Sequence, residues 1–573
     1  MLRYGVILGD RLNAWQLACV QELERSGLAQ LACVVSDRES NPVSATPRDT
    51  PYARFCARLS LPSHAVVAPT ELLSLRSDVV RLHASSTDLS LVGRTDLTGL
   101  GLDFFLLFSN ERLGYQLADA SKYGVWYFAH SDLALFSSDA PGFWEIYHDH
   151  DVTAALLLRL TSENSAGVVL KSAYLPTLHG SLKQNLETVF SLLPHWAVAV
   201  CRDITGGAAG YFGDQSIPRA PVHFNEPTVA QIRVLQVLEA RNKSRDYLKV
   251  TFYSPEWNVA VVAEAPSDFI RRDARASVTY LYPSSRNRYL ADPCVLERDS
   301  QIFVFCEEYQ NKTGRGIVAA FQISEAGATP PKPMIQEPYH LSYPQIFEHD
   351  GDVFCIPESS KIGKVRLYRA IEFPNRWQCV QTLLDGFAAS DSTIVKFNGK
   401  WWLFCTSSEM LLRGHNSVLY IWHADDLFGA WTPHVRNPVK IDARSSRPAG
   451  ALFIHDGRLY RPAQDCSRSY GELIRINRID VLTENDFRET PVGIIRAPLG
   501  KYDQCIHTIS STGDWCVVDA CRHVFRSAGF LIALKDAVKN TALAFGVTPK
   551  TLTDMTKRLK RTGRRASVSA DNP

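Results

Sequence analysis

The sequence predicts a multidomain protein, an α/β domain built on a parallel sheet followed by a five-bladed β-propeller. Three observations predict it. At 573 residues the chain is too long for one hydrophobic core. Residues 1–200 alternate short apolar runs with helical patterns, the signature of βαβ units. From about residue 290 helical patterns nearly vanish and a two-strand module recurs five times.

Taken in order, RYGVILG (3–9) reads as a first strand, AWQLACVQELERSG (14–27) as a helix ended by Gly27, and LAQLACVVS (28–36) as a second strand. LDFFLLFS (102–109) and GVWYFA (124–129) are unbroken apolar runs of strand length, as expected where a sheet is covered on both faces. Ligands of such sheets bind beyond the carboxyl ends of the strands, so Ser109, Asn110 and His130 are the positions to watch. Residues 1–218 are assigned to this domain and 219–254 to a transition. In the transition a polar helix candidate, TVAQIRVLQVLEARNKS, precedes YLKVTFYSPEWNVAVVAE, which has strand character. HDHD at 148–151 has the composition of a metal cluster, but adjacent residues on an extended segment point to opposite sides, so a loop is expected.

The repeated modules are DPCVLERDSQIFVFCEE, YPQIFEHDGDVFCIPES, DSTIVKFNGKWWLFCTS, AGALFIHDGRLYRPAQD and, more loosely, CIHTISSTGDWCVVDAC. Each is an apolar strand, a tight turn and a second apolar or aromatic strand. The turns fall at Asp299-Ser300, Asp350-Gly351, Asn398-Gly399, Asp456-Gly457 and Thr512-Gly513, in steps of 51, 48, 58 and 56 residues. Asn-Gly and Asp-Gly suit a two-residue hairpin because both central residues take positive φ. KVRLYRAIEF and SVLYIWHA supply outer strands between modules. The propeller is assigned to 255–525, and a helical, basic tail to 526–573.

Bulk numbers narrow the function classes. The net charge is +2, with 62 Lys and Arg against 60 Asp and Glu, so nothing global points to nucleic acid. Thirteen cysteines without a CxxC pair read as reduced, buried small hydrophobes. MLRYGVILGD runs straight into a strand, and no stretch approaches the ~20 apolar residues of a membrane span, so the cytoplasm is the expected compartment. The tail carries Lys557, Arg558, Lys560, Arg561, Arg564 and Arg565. Two readings stand for it, a solvated terminus and a peripheral contact with anionic lipid.

In a propeller the innermost strands converge on an axial opening, so polar residues at matching repeat positions form a ring. Matching strand starts carry Asp292, Tyr343 and Asp391. Strand ends after the hairpins carry Glu307, Glu308, Glu358, Glu409 and Asp465, and Arg447, Tyr470 and His507 add to the rim. Carboxylates with aromatic neighbours suit sugar hydroxyls and pyranose faces, and a carboxylate pair suitably apart supports glycosidic chemistry. No metal site is predicted.

Residues 1–175, through LDFFLLFS, KYGVWYFAHSD, PGFWEI and DVTAALLLRLTSENSAGVVL, resemble the formyltransferase N-terminal fold. That family's pattern is Asn-x-His, then a Gly-Val-Thr strand and an Asp-x-Gly element, and its chemistry moves a formyl group from a folate to an amine. Here His130 matches the histidine, but the asparagine position is Phe128 and the aspartate position falls at Ser165, with Glu163 and Asn164 beside it. Losing one oxyanion donor alone commonly costs ~10²–10³ in rate. Formyltetrahydrofolate is therefore disfavoured, the cofactor stays unknown, and His130 is expected to mark an inherited pocket.

ADPCVLERDSQIFVFCEEY, HLSYPQIFEHDGDVFCIPESSKIGKVRLYRA, GRLYRPAQDCSRSYGELIRI and EWNVAVV resemble the N-terminal propeller region of the plant glucosamine inositolphosphorylceramide transferases, over about 255–525. That region is also similar to five-bladed glycoside hydrolases acting on arabinosides and xylosides. The hydrolase resemblance implies Asp292 as base and Glu358 as acid, with the second-blade acid replaced by Tyr343. Together the resemblances imply a transferase-type protein of polysaccharide or glycolipid biosynthesis, acting on a sugar nucleotide or lipid-linked sugar. Asp292, Glu358 and His130 are then the catalytic candidates; Asn110, Glu308, Tyr343, Asp391, Arg447, Asp465 and Tyr470 are the substrate-binding ones. The alternatives are a non-catalytic carbohydrate-binding scaffold and a hydrolase-like propeller enzyme.

Overall fold

The computed structural model describes residues 1–9, 12–37, 50–68, 71–72, 75, 78–84, 97, 99–109, 111–161, 165–282, 288–407, 415–527 and 530. Asn110, Glu163, Asn164, Glu409 and the basic tail lie outside the described residues. The chain divides into two compact units, residues 1–240 with 257–522, and residues 241–256 with 523–573.

The apolar runs near the amino terminus become the middle of a mixed sheet. Leu2–Leu8, Ala29–Asp37, Val80–Ala84, Phe104–Phe108 and Val125–Ala129 are parallel, with Leu2–Leu8 in the centre. Val152–Arg159, Ser165–Pro176 and Ile217–Pro218 extend it antiparallel. The helix Ala14–Ser26 ends where predicted, on Gly27 at φ 67°. Tyr4, Phe104 and Trp126, from three neighbouring strands, stack ring on ring beneath it, all fully buried.

The transition differs from expectation. Val229–Phe252 is one 24-residue helix, so Tyr247–Phe252, predicted with strand character, are helical. Thr228 and Gln231 cap its start reciprocally: Thr228 N donates to Gln231 Oε1 at 2.8 Å and Gln231 N to Thr228 Oγ1 at 3.4 Å. Once nucleated, a helix gains one hydrogen bond per added residue, which overrides the β preference of Val250 and Thr251. The strand starts at Tyr253. No helix among the described residues is long and apolar enough to cross a membrane.

Five sheets follow, one per predicted module, antiparallel except for the short strand Asp273–Arg275, which joins blade 4 in parallel. Blade 1 starts with Arg288–Arg298 and Gln301–Gln310, blade 2 with Ser342–His349 and Asp352–Glu358, and blade 3 with Ala389–Phe397 and Lys400–Ser407. Blade 4 starts with Phe453–His455 and Arg458–Asp465, blade 5 with Ile509–Thr512 and Trp515–Phe525. Four turns lie where the dipeptides put them; Asp299 and Ser300, for example, have φ of 51° and 56°. The fifth is shifted by one residue, because Thr512 pairs with Trp515 and the loop is Gly513-Asp514 with Gly513 at φ 51°. β-Branched Thr512 stays in the strand, and glycine takes the left-handed corner. The ring closes through earlier chain: Tyr253–Val262 enters blade 5 beside Trp515–Phe525, and Asp273–Arg275 pairs with Phe487–Arg496 of blade 4.

The thirteen cysteines are all free, with Cys306, Cys355 and Cys405 fully buried in second strands. HDHD is a turn. Asp149 and Asp151 accept from the Arg468 guanidinium of blade 4 at 2.9 and 2.7 Å, so the segment ties the sheet domain to the propeller. Arg444 adds a second tie, lying 4.2 Å over the Tyr174 ring while Ala443 N donates to Tyr174 O at 2.8 Å.

Candidate functional site

The axial residues are placed by β-bulges. In blade 1 the pairing Ala291–Glu307 is followed by Cys294–Phe305; in blade 2 Ser342–Glu358 by Gln345–Ile356; in blade 3 Ser390–Thr406 by Thr393–Phe404. Each time two residues oppose one, and the first of the two is left-handed: Asp292 at φ 53°, Tyr343 at 43° and Asp391 at 53°. Such a conformation costs about 1–2 kcal/mol for a residue with a Cβ, and the bulge turns its side chain toward the axis. The repeat spacing of these three positions is thus one backbone device used three times.

Their polar atoms bond from blade to blade. Asp292 Oδ2 accepts from Tyr343 N at 3.2 Å, and Glu358 Oε2 accepts from Asp391 N at 3.1 Å. Asp391 is held by the Arg447 fork, Nε to Oδ2 at 2.6 Å and Nη2 to Oδ1 at 3.1 Å, and by Gln464 Nε2 at 2.7 Å. Blade 5 closes the circle. Asp519 accepts from the backbone N–H groups of Asp292, His507 and Thr508 at 2.8, 3.1 and 3.0 Å. The Tyr343 hydroxyl meets Thr393 Oγ1 at 2.9 Å and accepts from Gly450 N at 2.5 Å, so this phenol reaches across to blades 3 and 4.

His507 sits between two carboxylates, Nδ1 at 2.7 Å from Asp519 and Nε2 at 3.2 Å from Asp292, with Trp257 stacked on its face at 3.9 Å. Burial disfavours a charged ring, yet Asp519 and Asp292 outweigh it and raise its pKa to about 9. Burial pushes Asp292 upward against the pull of His507. At Arg447 burial is likewise outweighed by Asp391, which raises the guanidinium further. Ligand atoms of Asp292, His507 and Asp519 lie within 4.8 Å of one another, close enough for a metal. The fit is poor: both imidazole nitrogens face carboxylates and Asp519 already accepts from three backbone N–H groups. The trio is an imidazolium clasped by two acids.

The structure brings together Asp292, Tyr343, Glu358, Asp391, Arg447 and Tyr470, whose hydroxyl takes a 3.3 Å contact from Arg447 Nη2. Glu308 and Asp465 stand apart from this network. Glu308 pairs with Arg288 at 2.7 Å and Asp465 with Arg475 at 2.7 Å, because successive strand residues point to opposite faces. Their neighbours Glu307 and Gln464 take the inward places. Sequence reasoning missed Asp519, Gln464 and Trp257. An acid inside the apolar run CVVDAC was the available signal for Asp519, since a charge there requires partners.

His130 lies at the end of Val125–Ala129 among rings, 4.9 Å from Phe190 and 5.6 Å from Trp15. Phe128 packs on the same Trp15 at 5.3 Å. Burial, then the His64 imidazole, lower its pKa to about 3, and its Nδ1 has no hydrogen-bond partner among the described residues. Ser165 pairs with Pro218 at the sheet edge.

Residues 275–503 match the family model of the glucosamine inositolphosphorylceramide transferase 1 N-terminal region. Over those residues the chain resembles that region. The rice (Oryza sativa subsp. japonica) glucosamine inositolphosphorylceramide transferase 1 is 32% identical over 276 residues, 44% of this chain and 37% of its own. The Arabidopsis thaliana protein of the same name is 35% identical over 210 residues, 36% of this chain and 27% of its own. The chain therefore spans well under half the length of the curated relatives it matches. Among solved structures, an exo-β-1,3-galactanase from Phanerochaete chrysosporium aligns over 36% of this chain and 51% of its own at 12% identity and a TM-score of 0.28, too low to bear on this protein.

Proposed function

We propose that this chain is a transferase-type protein of glycolipid or polysaccharide biosynthesis whose propeller axis binds the sugar of a sugar nucleotide or lipid-linked sugar. The observation that carries the reading is the gathering of five carboxyl groups, from Asp292, Glu307, Glu358, Asp391 and Asp519, with two cations, Arg447 bonded to Asp391 and His507 between Asp292 and Asp519, most of them inside the region that resembles the transferase family. An excess of acid beside exposed Tyr470 suits a hydroxylated ring bearing an ammonium group, and the relatives' name includes glucosamine. The test is a thermal-shift comparison of D-glucosamine with D-glucose. We expect stabilisation by glucosamine at millimolar concentration, lost in Asp391→Asn, with glucose much weaker; a ligand at 100 times its Kd adds ~2.7 kcal/mol. Equal, negligible shifts for both sugars would overturn the reading.

A second reading, a saccharide-binding module without chemistry of its own, is favoured by the engagement of both proposed catalytic acids. Asp292 accepts from Tyr343 N and Thr508 Oγ1, and Glu358 from Asp391 N and Ser360 Oγ. Folate-dependent formyl transfer at His130 forms no part of the proposal, since this imidazole is held neutral and its added ionisable neighbour is another histidine. The cytoplasmic face of a membrane is the compartment proposed for such a substrate.

A further inference from the structure

Glu307 breaks the latch pattern of the axis. It occupies the register position in blade 1 that Glu358 occupies in blade 2, each paired with the residue before the bulge. Glu358 uses that position to accept the N–H of the next blade's bulge residue, Asp391. The corresponding N–H, that of Tyr343, goes instead to Asp292. Glu307 is left 6% exposed, with Oε1 buried and without a hydrogen-bond partner among the described residues. Gly316 on the neighbouring strand leaves room for it, as a Cβ there would sit within 2.3 Å of Oε1.

The groups facing Glu307 explain its state. Burial first, then the carboxylates of Asp292, Glu358, Asp519 and Asp391, hold its pKa well above the usual carboxylate range. Tyr289 lies on the same side, and His340 approaches from the loop before blade 2. His340 Nδ1 accepts from Gly316 N at 2.9 Å, so its proton is on Nε2, which lies 3.6 Å from Glu307 Oε1. At that distance the N–H faces the carboxyl group without a hydrogen bond to it. Arg447 and His507 are committed to Asp391 and to Asp292 with Asp519.

We propose that Glu307 rests as the neutral acid at the propeller axis and releases its proton to solvent when a cationic saccharide binds, becoming the carboxylate that pairs with the ligand's ammonium group. This rests on the saccharide reading above and assigns Glu307 as its charge-selecting residue. Binding then carries a proton stoichiometry: about one proton leaves per ammonium sugar bound, and a neutral sugar releases none.

The experiment is titration calorimetry of D-glucosamine at pH 6.5 in phosphate and in Tris-type buffers of different ionisation enthalpy, with infrared spectroscopy of the ligand-free protein. In wild type the two buffers should differ by about one proton per site, and in Glu307→Gln by none. The infrared spectrum should show a protonated carboxylic acid carbonyl that Glu307→Gln removes. Glucosamine binding with no buffer dependence would overturn the proposal while leaving the saccharide reading intact. No glucosamine binding would overturn the coupling together with that reading. An infrared spectrum unchanged by Glu307→Gln would overturn the neutral resting state whether or not a ligand binds.

Discussion

Replacing His507 by glutamine removes the cation that Asp519 and Asp292 enclose. The ring is 2% exposed, so solvent screens the interaction little. Its pKa rises from the ordinary 6.5 to about 9 on folding. At about 1.4 kcal/mol per tenfold change in proton affinity this is worth about 3 kcal/mol. The sign follows from the direction. A group whose folded pKa is raised stabilises the fold fully below its unfolded pKa, here 6.5, and loses that contribution as pH rises through about 9. Equilibrium urea unfolding followed by tryptophan fluorescence should therefore find His507→Gln about 3 kcal/mol less stable than wild type near pH 6, with the gap shrinking toward about pH 10. Trp257, stacked on the imidazole at 3.9 Å, supplies a local reporter of the same titration. A gap of equal size at both pH values, or none near pH 6, would refute the imidazolium clasp.

Gly450→Ala should lower the unfolding free energy by more than ~2 kcal/mol, because φ is +124° and the new Cβ would lie 1.9 Å from Ile509 O; an unchanged urea midpoint would contradict the packing of blade 4 on blade 5. Arg468→Ala should cost no more than ~1 kcal/mol in the same assay, since its ion pairs with Asp149 and Asp151 are about half exposed. His130→Phe should fold and should gain on wild type as pH falls from 6.5 toward 3, because burial depresses this imidazole to about 3 and its stabilising neutrality is lost in acid. Wild-type glucosamine binding in that variant separates the pocket of the sheet domain from the propeller axis.

Much of the architecture was legible because it is written in short-range signals. Asn398-Gly399 and Asp350-Gly351 announce hairpins through the φ values they permit, and the spacing of such turns counts the blades. The fifth turn was misplaced by one residue since Thr512-Gly513 and Gly513-Asp514 look alike until the pairing of Thr512 with Trp515 is seen. The strand expectation at Tyr247–Phe252 failed for a related reason, as a helix capped at Thr228 extends through residues whose own preference is weak.

By itself the sequence determined the number of modules, the left-handed corners, the apolar runs that become buried strands, and the presence of Asp292, Tyr343 and Asp391 at equal places in the repeat. Only the tertiary structure decided which acids meet. Alternation along a strand sends Glu307 and Gln464 inward and Glu308 and Asp465 outward, while partners 227 residues apart, Asp292 and Asp519, come within 2.8 Å. A carboxyl group's chemistry depends on the donors and charges around it, and those neighbours come from other blades through ring closure, a long-range event that no local pattern encodes.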